Sequence, residues 1–164
     1  MSLLNLCQRL QDSAFATSLL ESQYMWLIIE SAHVLGLSFS VGLIVITDLR
    51  LIGQFRRREP VSEVLETLRP WLLTGFALMF VTGALLFISE AAKVIVIPWF
   101  KLKMLLLLLA GINALWFELN LGRKLSAWDT LASPPIGAKI AGWTSLVCWT
   151  AVIFLGRWVA YAHT

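Results

Sequence analysis

Charged residues and cysteines are scarce in this sequence. Of its 164 residues, 14% are charged, whereas a soluble domain has about 25%. The two cysteines, Cys7 and Cys148, lie far apart and match no zinc or redox spacing. The net charge of +3 is small and scattered along the chain, which argues against nucleic-acid binding. These shortages exclude a disordered chain, a secreted disulfide-bonded scaffold and an ordinary cytosolic enzyme.

Apolar residues dominate instead. They make up 59% of the chain, and the mean hydropathy is +0.79. A soluble fold of this size cannot bury so much apolar surface, so we predict a single integral membrane domain over residues 1–164. Four apolar stretches approach the length of about 20 residues that crosses a bilayer. The sequence therefore predicts an all-α, four-helix transmembrane bundle with spans at about 22–48, 70–91, 98–119 and 138–161.

Two further segments have the pattern of helices that lie on the membrane surface. Polar residues interrupt the first 20 residues too often for a signal peptide. Apolar residues recur there at helical spacing: Leu3, Leu6, Cys7, Leu10 and Ala14. We therefore predict a short amphipathic N-terminal helix over residues 1–20. A similar pattern between Pro60 and Pro70 predicts a second surface helix, with Pro70 in the first turn of the second span.

The distribution of lysine and arginine predicts the orientation. Eight of the thirteen basic residues lie in or next to the loops that join spans one to two and three to four. The other five lie on the opposite side. Because cytoplasmic loops carry the excess of basic residues, the side with eight is expected to be cytoplasmic. Both termini are then expected outside.

His33 is the main candidate for a functional residue. It is the only histidine inside a predicted span, and imidazole is a common ligand of metal ions and of haem iron. Glu30 lies one turn earlier on the same face. A simpler interpretation makes His33 a packing residue that is hydrogen-bonded to Glu30 or to a neighbouring carbonyl. The Glu-x-x-His spacing also occurs in di-iron bundles, but these need a second copy that this sequence lacks.

Other ionisable residues gather on the same outer side as His33. Lys101 and Lys103 open the third span, and Arg157 ends the fourth. Since Lys101 and Lys103 are two positions apart, they point to nearly opposite faces. We expect Lys103 to turn inward and Lys101 to reach the lipid headgroups.

The cytoplasmic half holds polar residues of a different expected role. Asp48 and Arg50 end the first span, and Glu118 ends the third. We interpret them as interfacial charges that pair with each other or with lipid headgroups. Met79 and Cys148 lie in mid-span, where such side chains usually fill space, with metal ligation as the alternative.

Three segments carry a resemblance to a known family. They are IESAHVLGLSFSVGLIVITDLRL in the first span, PW-x-x-x-GF-x-x-x-x-x-TG-x-LLF at Pro70–Phe87, and FKLKMLLLLLAGINAL at Phe100–Leu115. They resemble an uncharacterised bacterial family of small four-helix integral membrane proteins, and the likeness runs from Glu21 to Tyr161. It implies a multi-pass protein of the bacterial inner (cytoplasmic) membrane with periplasmic N- and C-termini.

A second resemblance concerns single positions. It rests on His33 in the first span, Arg50 where that span ends, and the pair Trp99 and Lys103 at the start of the third. In these the chain resembles the haem-binding, four-helix membrane protoporphyrinogen oxidase and the membrane domain of the copper-resistance D family. By this likeness His33 matches the haem-ligating histidine and Lys103 matches a lysine needed for activity. The oxidase has a histidine at the position of Lys101.

The resemblance implies a membrane b-type haem protein engaged in electron transfer, with haem b near the periplasmic leaflet. His33 is the expected axial ligand, and Glu30 its hydrogen-bonding partner or a nearby proton acceptor. Lys103 and Arg157 are expected to neutralise the haem propionates, or Lys103 to be the sixth ligand. His163 is the alternative second histidine, although a single histidine ligand is expected.

Two other functions stay open. The first is a copper-handling membrane module, for which the available soft side chains are Met25, Met79, Met104 and Cys148. The second is a cofactor-free scaffold subunit of a larger membrane assembly. The expected partners are the lipid bilayer, a quinone or a periplasmic redox protein, and either further copies of this chain or other subunits of a complex. Nucleic acid is not expected, and whether the chain is an enzyme stays open.

Overall fold

The computed structural model of the protein describes residues 2–56, 58–129, 131 and 133–162, and only the backbone of Gln23. The described chain is helical. The α-helices are α1 (Leu3–Gln11), α2 (Ala14–Glu21), α3 (Gln23–Ile52), α4 (Val61–Val94), α5 (Pro98–Asn120) and α6 (Ile136–Tyr161), and a 3-10 helix follows α5 at Gly122–Ala127.

Four of the described helices are long and apolar enough to cross a membrane, namely α3 to α6. Large apolar side chains cover their outer surface; Phe80 is 80% exposed and Phe154 is 71% exposed. Such a surface is stable only in contact with lipid. The chain is therefore a multi-pass membrane protein, and the predicted all-α four-helix bundle is confirmed.

The bundle packs in a simple order. Helix α3 lies against α4 and against α6, and α5 lies against α6. We call the end of the bundle that carries α1, α2 and residues 95–97 the N-terminal end. The opposite end, which carries residues 53–60 and 121–135, is the loop end. Trp99 and Trp158 lie at the N-terminal end with their ring centroids 5.9 Å apart, as expected for an interfacial aromatic belt.

Small residues allow α3 and α4 to approach closely. A Cβ atom built on Gly75 would collide with the Ser40 hydroxyl, and one built on Gly36 would lie 3.2 Å from Leu78. Ser40 itself is fully buried. Contacts of this kind are typical of helix pairs in membranes, where packing replaces the hydrophobic effect as the source of association.

Helix α4 begins nine residues before Pro70, so the predicted surface helix between Pro60 and Pro70 is wrong as a separate element. Val61 and Val64 are each only 1% exposed. Val61 packs into an apolar cluster at the loop end, together with Phe117 and Trp128. This burial joins the segment to the bundle. Pro70 consequently lies inside α4 and not in its first turn, which membrane helices tolerate.

Two short helices, and not one, form the N-terminal segment. Both pack on α4, and the side chains that they bury include Cys7, Ala16 and Leu19. Helix α4 is kinked at Glu90, where φ is −129° and ψ is 26°. Close to the kink, the backbone N–H of Ala92 donates to Oε1 of Gln11 at 3.0 Å. The side chain of α1 thus satisfies a backbone group of α4.

Candidate cofactor site

His33 lies on α3 and faces α4. Its Nδ1 atom is 2.9 Å from the Oγ1 atom of Thr82. The Thr82 hydroxyl donates its one proton to the carbonyl oxygen of Leu78, 2.7 Å away. In the tautomer that satisfies both groups, the hydroxyl proton goes to this carbonyl and Nδ1 of His33 donates to the Thr82 oxygen. In that tautomer Nε2 carries the lone pair with which an imidazole binds a ligand.

Glycine positions bring the imidazole against the backbone of α4. A Cβ atom on Gly83 would stand 3.1 Å from Cε1 of His33. Gly36 lies about one turn after His33 on α3, and a Cβ atom built on it would lie 3.2 Å from Leu78 and 3.4 Å from Met79. The ring is half-buried and is held on one edge by Thr82. Its position is thus fixed by the close approach of the two helices.

Lys103 approaches the same region from α5. It is half-buried, whereas Lys101 is exposed. The Lys103 Nζ atom would lie 3.6 Å from a Cβ atom on Gly156 of α6, and its charge acts on the His33 imidazole. Lys103 therefore lies on the inward side of α5, whereas Lys101 lies on the surface.

Glu30 and Arg157 do not join this pair. Glu30 is exposed on α3. It lies three residues before His33, so its side chain is rotated by about 60° around the helix axis from the face that meets α4. Arg157 is exposed on α6, where its guanidinium lies 5.2 Å from the ring centre of Tyr161 and donates to the Tyr161 hydroxyl at 3.1 Å. Arg157 comes directly after Gly156, which faces Lys103. Consecutive residues are rotated by about 100° around a helix, so Arg157 points away from that contact.

The sequence did not single out Thr82, although Thr82 holds the candidate histidine. The sequence does contain a sign of its role, because Thr82 is a hydroxyl residue in mid-span next to a glycine, where two helices can approach closely. Its pairing with His33 depends on the register of α3 against α4, which one span alone does not reveal. His163, the alternative second histidine, lies outside the described residues.

The polar residues of the loop end are arranged differently from the prediction. Arg69 and Glu118 form an exposed ion pair of 2.8 Å. Arg50 does not pair with Asp48. Its guanidinium donates twice to the carbonyl oxygen of Glu59, at 2.7 and 3.1 Å. Asp48 is only 5% exposed and faces α6, beside Ser145. The interpretation of Asp48 and Arg50 as interfacial charges that pair with each other or with headgroups is therefore wrong.

A hydrogen-bonded carboxylate fastens the 3-10 segment to α4. The backbone N–H and the hydroxyl of Ser62 donate to Asp129 at 2.8 and 2.5 Å. Partial burial raises the pKa of Asp129, but hydrogen bonds from Ser62 and Val61 and the charge of Arg50 outweigh it. The pKa of Asp129 is consequently lowered from its ordinary value.

A groove of about 610 Å³ opens beside this carboxylate at the loop end. It runs between the first turns of α4 and the 3-10 segment, and its polar lining includes Glu66, Arg69 and Asp129. His33 lies towards the other end of the bundle. The groove is therefore separate from the candidate cofactor site.

No family model, no curated protein and no solved structure matches the chain. Across the residues that the structure describes, no group of three or more His, Cys, Asp and Glu side chains is placed to hold a metal ion. The candidate site consists of the His33 imidazole beside Thr82 on α4, with Lys103 on the inward side of α5.

Proposed function

We propose that the protein is a membrane b-type haem protein that takes part in electron transfer, with His33 as the axial ligand. One observation carries this proposal: Nδ1 of His33 lies 2.9 Å from the Thr82 hydroxyl, a contact that supports the tautomer with Nε2 free. Histidine ligands of metals commonly donate their other ring N–H to a neighbouring acceptor, which orients the ring and raises its basicity. Thr82 has this role in the proposal, which the sequence had assigned to Glu30.

The donor set suits haem. Haem supplies four nitrogen ligands of its own and takes up or releases one electron at its iron, so one or two protein ligands complete the site. His33 offers one such nitrogen. Lys103 is a nearby cation, and it would neutralise a propionate or fill the sixth position. Gly83 and Gly156 pack directly against the side chains of His33 and Lys103 and so help to position them.

The proposal includes a location. By the distribution of basic residues, the loop end faces the cytoplasm and the N-terminal end faces the periplasm of a bacterial inner membrane. The haem would then lie near the periplasmic leaflet. A quinone in the bilayer or a periplasmic redox protein would be its electron-transfer partner.

The test is the absorption spectrum of the protein purified in mild detergent from cells supplied with haem. We expect a Soret band in the wild type. The variant His33→Ala should lose the band while remaining in the membrane, because four apolar spans still drive insertion. The matched control His163→Ala should keep it.

Thr82→Val provides a second, graded variant. It preserves the volume of the side chain but removes the oxygen that accepts the His33 proton. Loss of such a supporting contact typically lowers metal affinity by about 10- to 100-fold, so haem should be retained less tightly during titration with a competing apoprotein. A full Soret band in His33→Ala, or a colourless wild type supplied with haem, would contradict the proposal.

One contact favours copper handling as a second candidate. Met79 is half-buried on α4, touches the face of Gly36 and has its carbonyl within reach of the His33 ring. Thioether sulfur and imidazole nitrogen are both ligands of copper(I). Metal analysis of the same sample distinguishes the candidates, since stoichiometric copper lost in Met79→Leu would support this one. A sample with neither haem nor copper would favour the scaffold subunit.

A further inference from the structure

Asp48 is a buried carboxyl group that the proposed haem site does not use. It lies four residues before the end of α3, 15 positions from His33, which is about 22 Å along a helix. The residue is buried, with only 5% of its surface exposed. Among the described residues, its Oδ2 atom has no hydrogen-bond partner. A group in this state requires an explanation.

The surroundings of Asp48 are tightly packed and mostly apolar. A Cβ atom on Gly142 of α6 would lie 3.0 Å from the Asp48 carbonyl oxygen and 3.1 Å from the Ile52 side chain. Ser145, one turn further along α6, is placed to hydrogen-bond with the Asp48 carboxyl group. This leaves one carboxyl oxygen with a serine neighbour and the other without a partner.

The ionisable groups on the elements of this end are Arg50, Arg56, Arg57, Arg58, Glu59, Glu63, Glu66, Arg69, Glu118, Arg123, Lys124, Asp129, Lys139 and Cys148. The cations among them with described contacts are engaged elsewhere. Arg50 donates to the Glu59 carbonyl, Arg69 donates to Glu118, and Lys139 donates to Ser133. Glu63 and Glu66 are exposed. Cys148 is buried in the central apolar cluster of the bundle. Among the residues that the structure describes, no cation is in a salt bridge with Asp48, and only burial and Ser145 act on its carboxyl group.

An ionised carboxylate without a nearby cation is strongly disfavoured inside a membrane bundle. Binding a proton removes the charge and converts one oxygen into a donor. A hard metal cation would need about six oxygen ligands, and Asp48 with Ser145 supplies fewer. We infer that Asp48 is a proton-binding site, which holds one proton as a neutral carboxylic acid at neutral pH, with Ser145 as its hydrogen-bonding neighbour.

This inference does not depend on haem. The reaction is the binding of one proton to one carboxylate oxygen, with no electron transferred and no other bond made or broken. The site lies near the loop end, about one helical turn from the C-terminus of α3 at Ile52. Exchange of the proton with the loop end would therefore require passage along only about 6 Å of helix.

Infrared spectroscopy of the protein in lipid nanodiscs at neutral pH tests the inference. A protonated carboxyl group gives a C=O stretching band that ionised carboxylates lack, and the band shifts in D2O. We expect this band in the wild type and its loss in Asp48→Asn. The control Glu118→Gln should leave it unchanged, because Glu118 is paired with Arg69 at the surface.

A second variant keeps the test decisive if Asp48→Asn does not fold. Ser145→Ala retains the carboxyl group but removes its neighbour, so the band should persist at a shifted frequency. Absence of any band that responds to Asp48 or Ser145 would overturn the inference. A band that disappears when sodium or potassium is added at constant pH would also overturn it, because that result identifies a metal cation as the ligand.

Discussion

The contact between Gly75 and Ser40 yields a quantitative prediction for bundle stability. In Gly75→Ala the new methyl group collides with the Ser40 hydroxyl and lies 3.3 Å from the Phe39 ring. Overpacking of this kind costs about 1–3 kcal/mol. Replacing glycine by alanine inside a helix also gains about 0.8–1.0 kcal/mol. The free energy of unfolding of Gly75→Ala should therefore fall by up to about 2 kcal/mol.

Gly42 is the matched control. It lies on the same helix as Ser40, and a Cβ atom built there meets nothing within 4 Å. Gly42→Ala should show only the gain from helix propensity, so the two alanine variants should differ by about 1–3 kcal/mol. Equilibrium unfolding by SDS in mixed micelles, followed by circular dichroism, measures both.

A double-mutant cycle then attributes the cost to one contact. Ser40→Ala removes a buried hydroxyl that has no described partner, so this variant alone should be neutral or stabilising. In the double variant the remaining distance between the two Cβ atoms is about 3.4 Å, an ordinary contact. Most of the loss should therefore be recovered, since only the 3.3 Å approach to the Phe39 ring remains tight. If Gly75→Ala is as stable as Gly42→Ala, or if Ser40→Ala relieves nothing, the close α3–α4 packing described above is refuted.

Two more predictions concern the loop end. Because the folded-state pKa of Asp129 is lowered, its contribution to stability is present above the unfolded value of about 4 and is lost as the pH falls below it. The unfolding midpoint should drop in acid, and Asp129→Asn should lack that part of the drop; an unchanged pH profile would contradict the role of the Ser62 contact. For topology, Arg58→Cys and Lys93→Cys in a chain without native cysteines should react with an impermeant maleimide from opposite sides, Lys93→Cys from outside. Labelling of Arg58→Cys from outside alone would reverse the orientation.

The sequence predicted the architecture well because lipid imposes a simple constraint. Each span must be apolar over its length, and hydropathy records this directly. The start of α4 escaped prediction because Val61 and Val64 form an apolar stripe that suits either a membrane surface or a protein core. Only the position of Phe117 and Trp128 in the folded chain decides between them.

The candidate site was predictable in part. His33 and Lys103 follow from their residue types and from helical spacing. The exposure of Arg157 could also have been derived, since its neighbour Gly156 occupies the inward face. The Thr82 contact could not, because it depends on how far α3 is shifted along α4. Glycine contacts set that shift, and they are not visible in the hydropathy of one helix.

The hydrogen bond between Gln11 and Ala92 has a consequence for the order of assembly. These residues are 81 positions apart, so the first helices leave the ribosome long before their docking surface exists. That surface is the buried end of α4 around Ala91 and Val94. While α3 and α4 insert, α1 remains at the membrane surface, where its exposed leucines contact the lipid. Helix α1 therefore reaches its final position only after α3 and α4 have inserted.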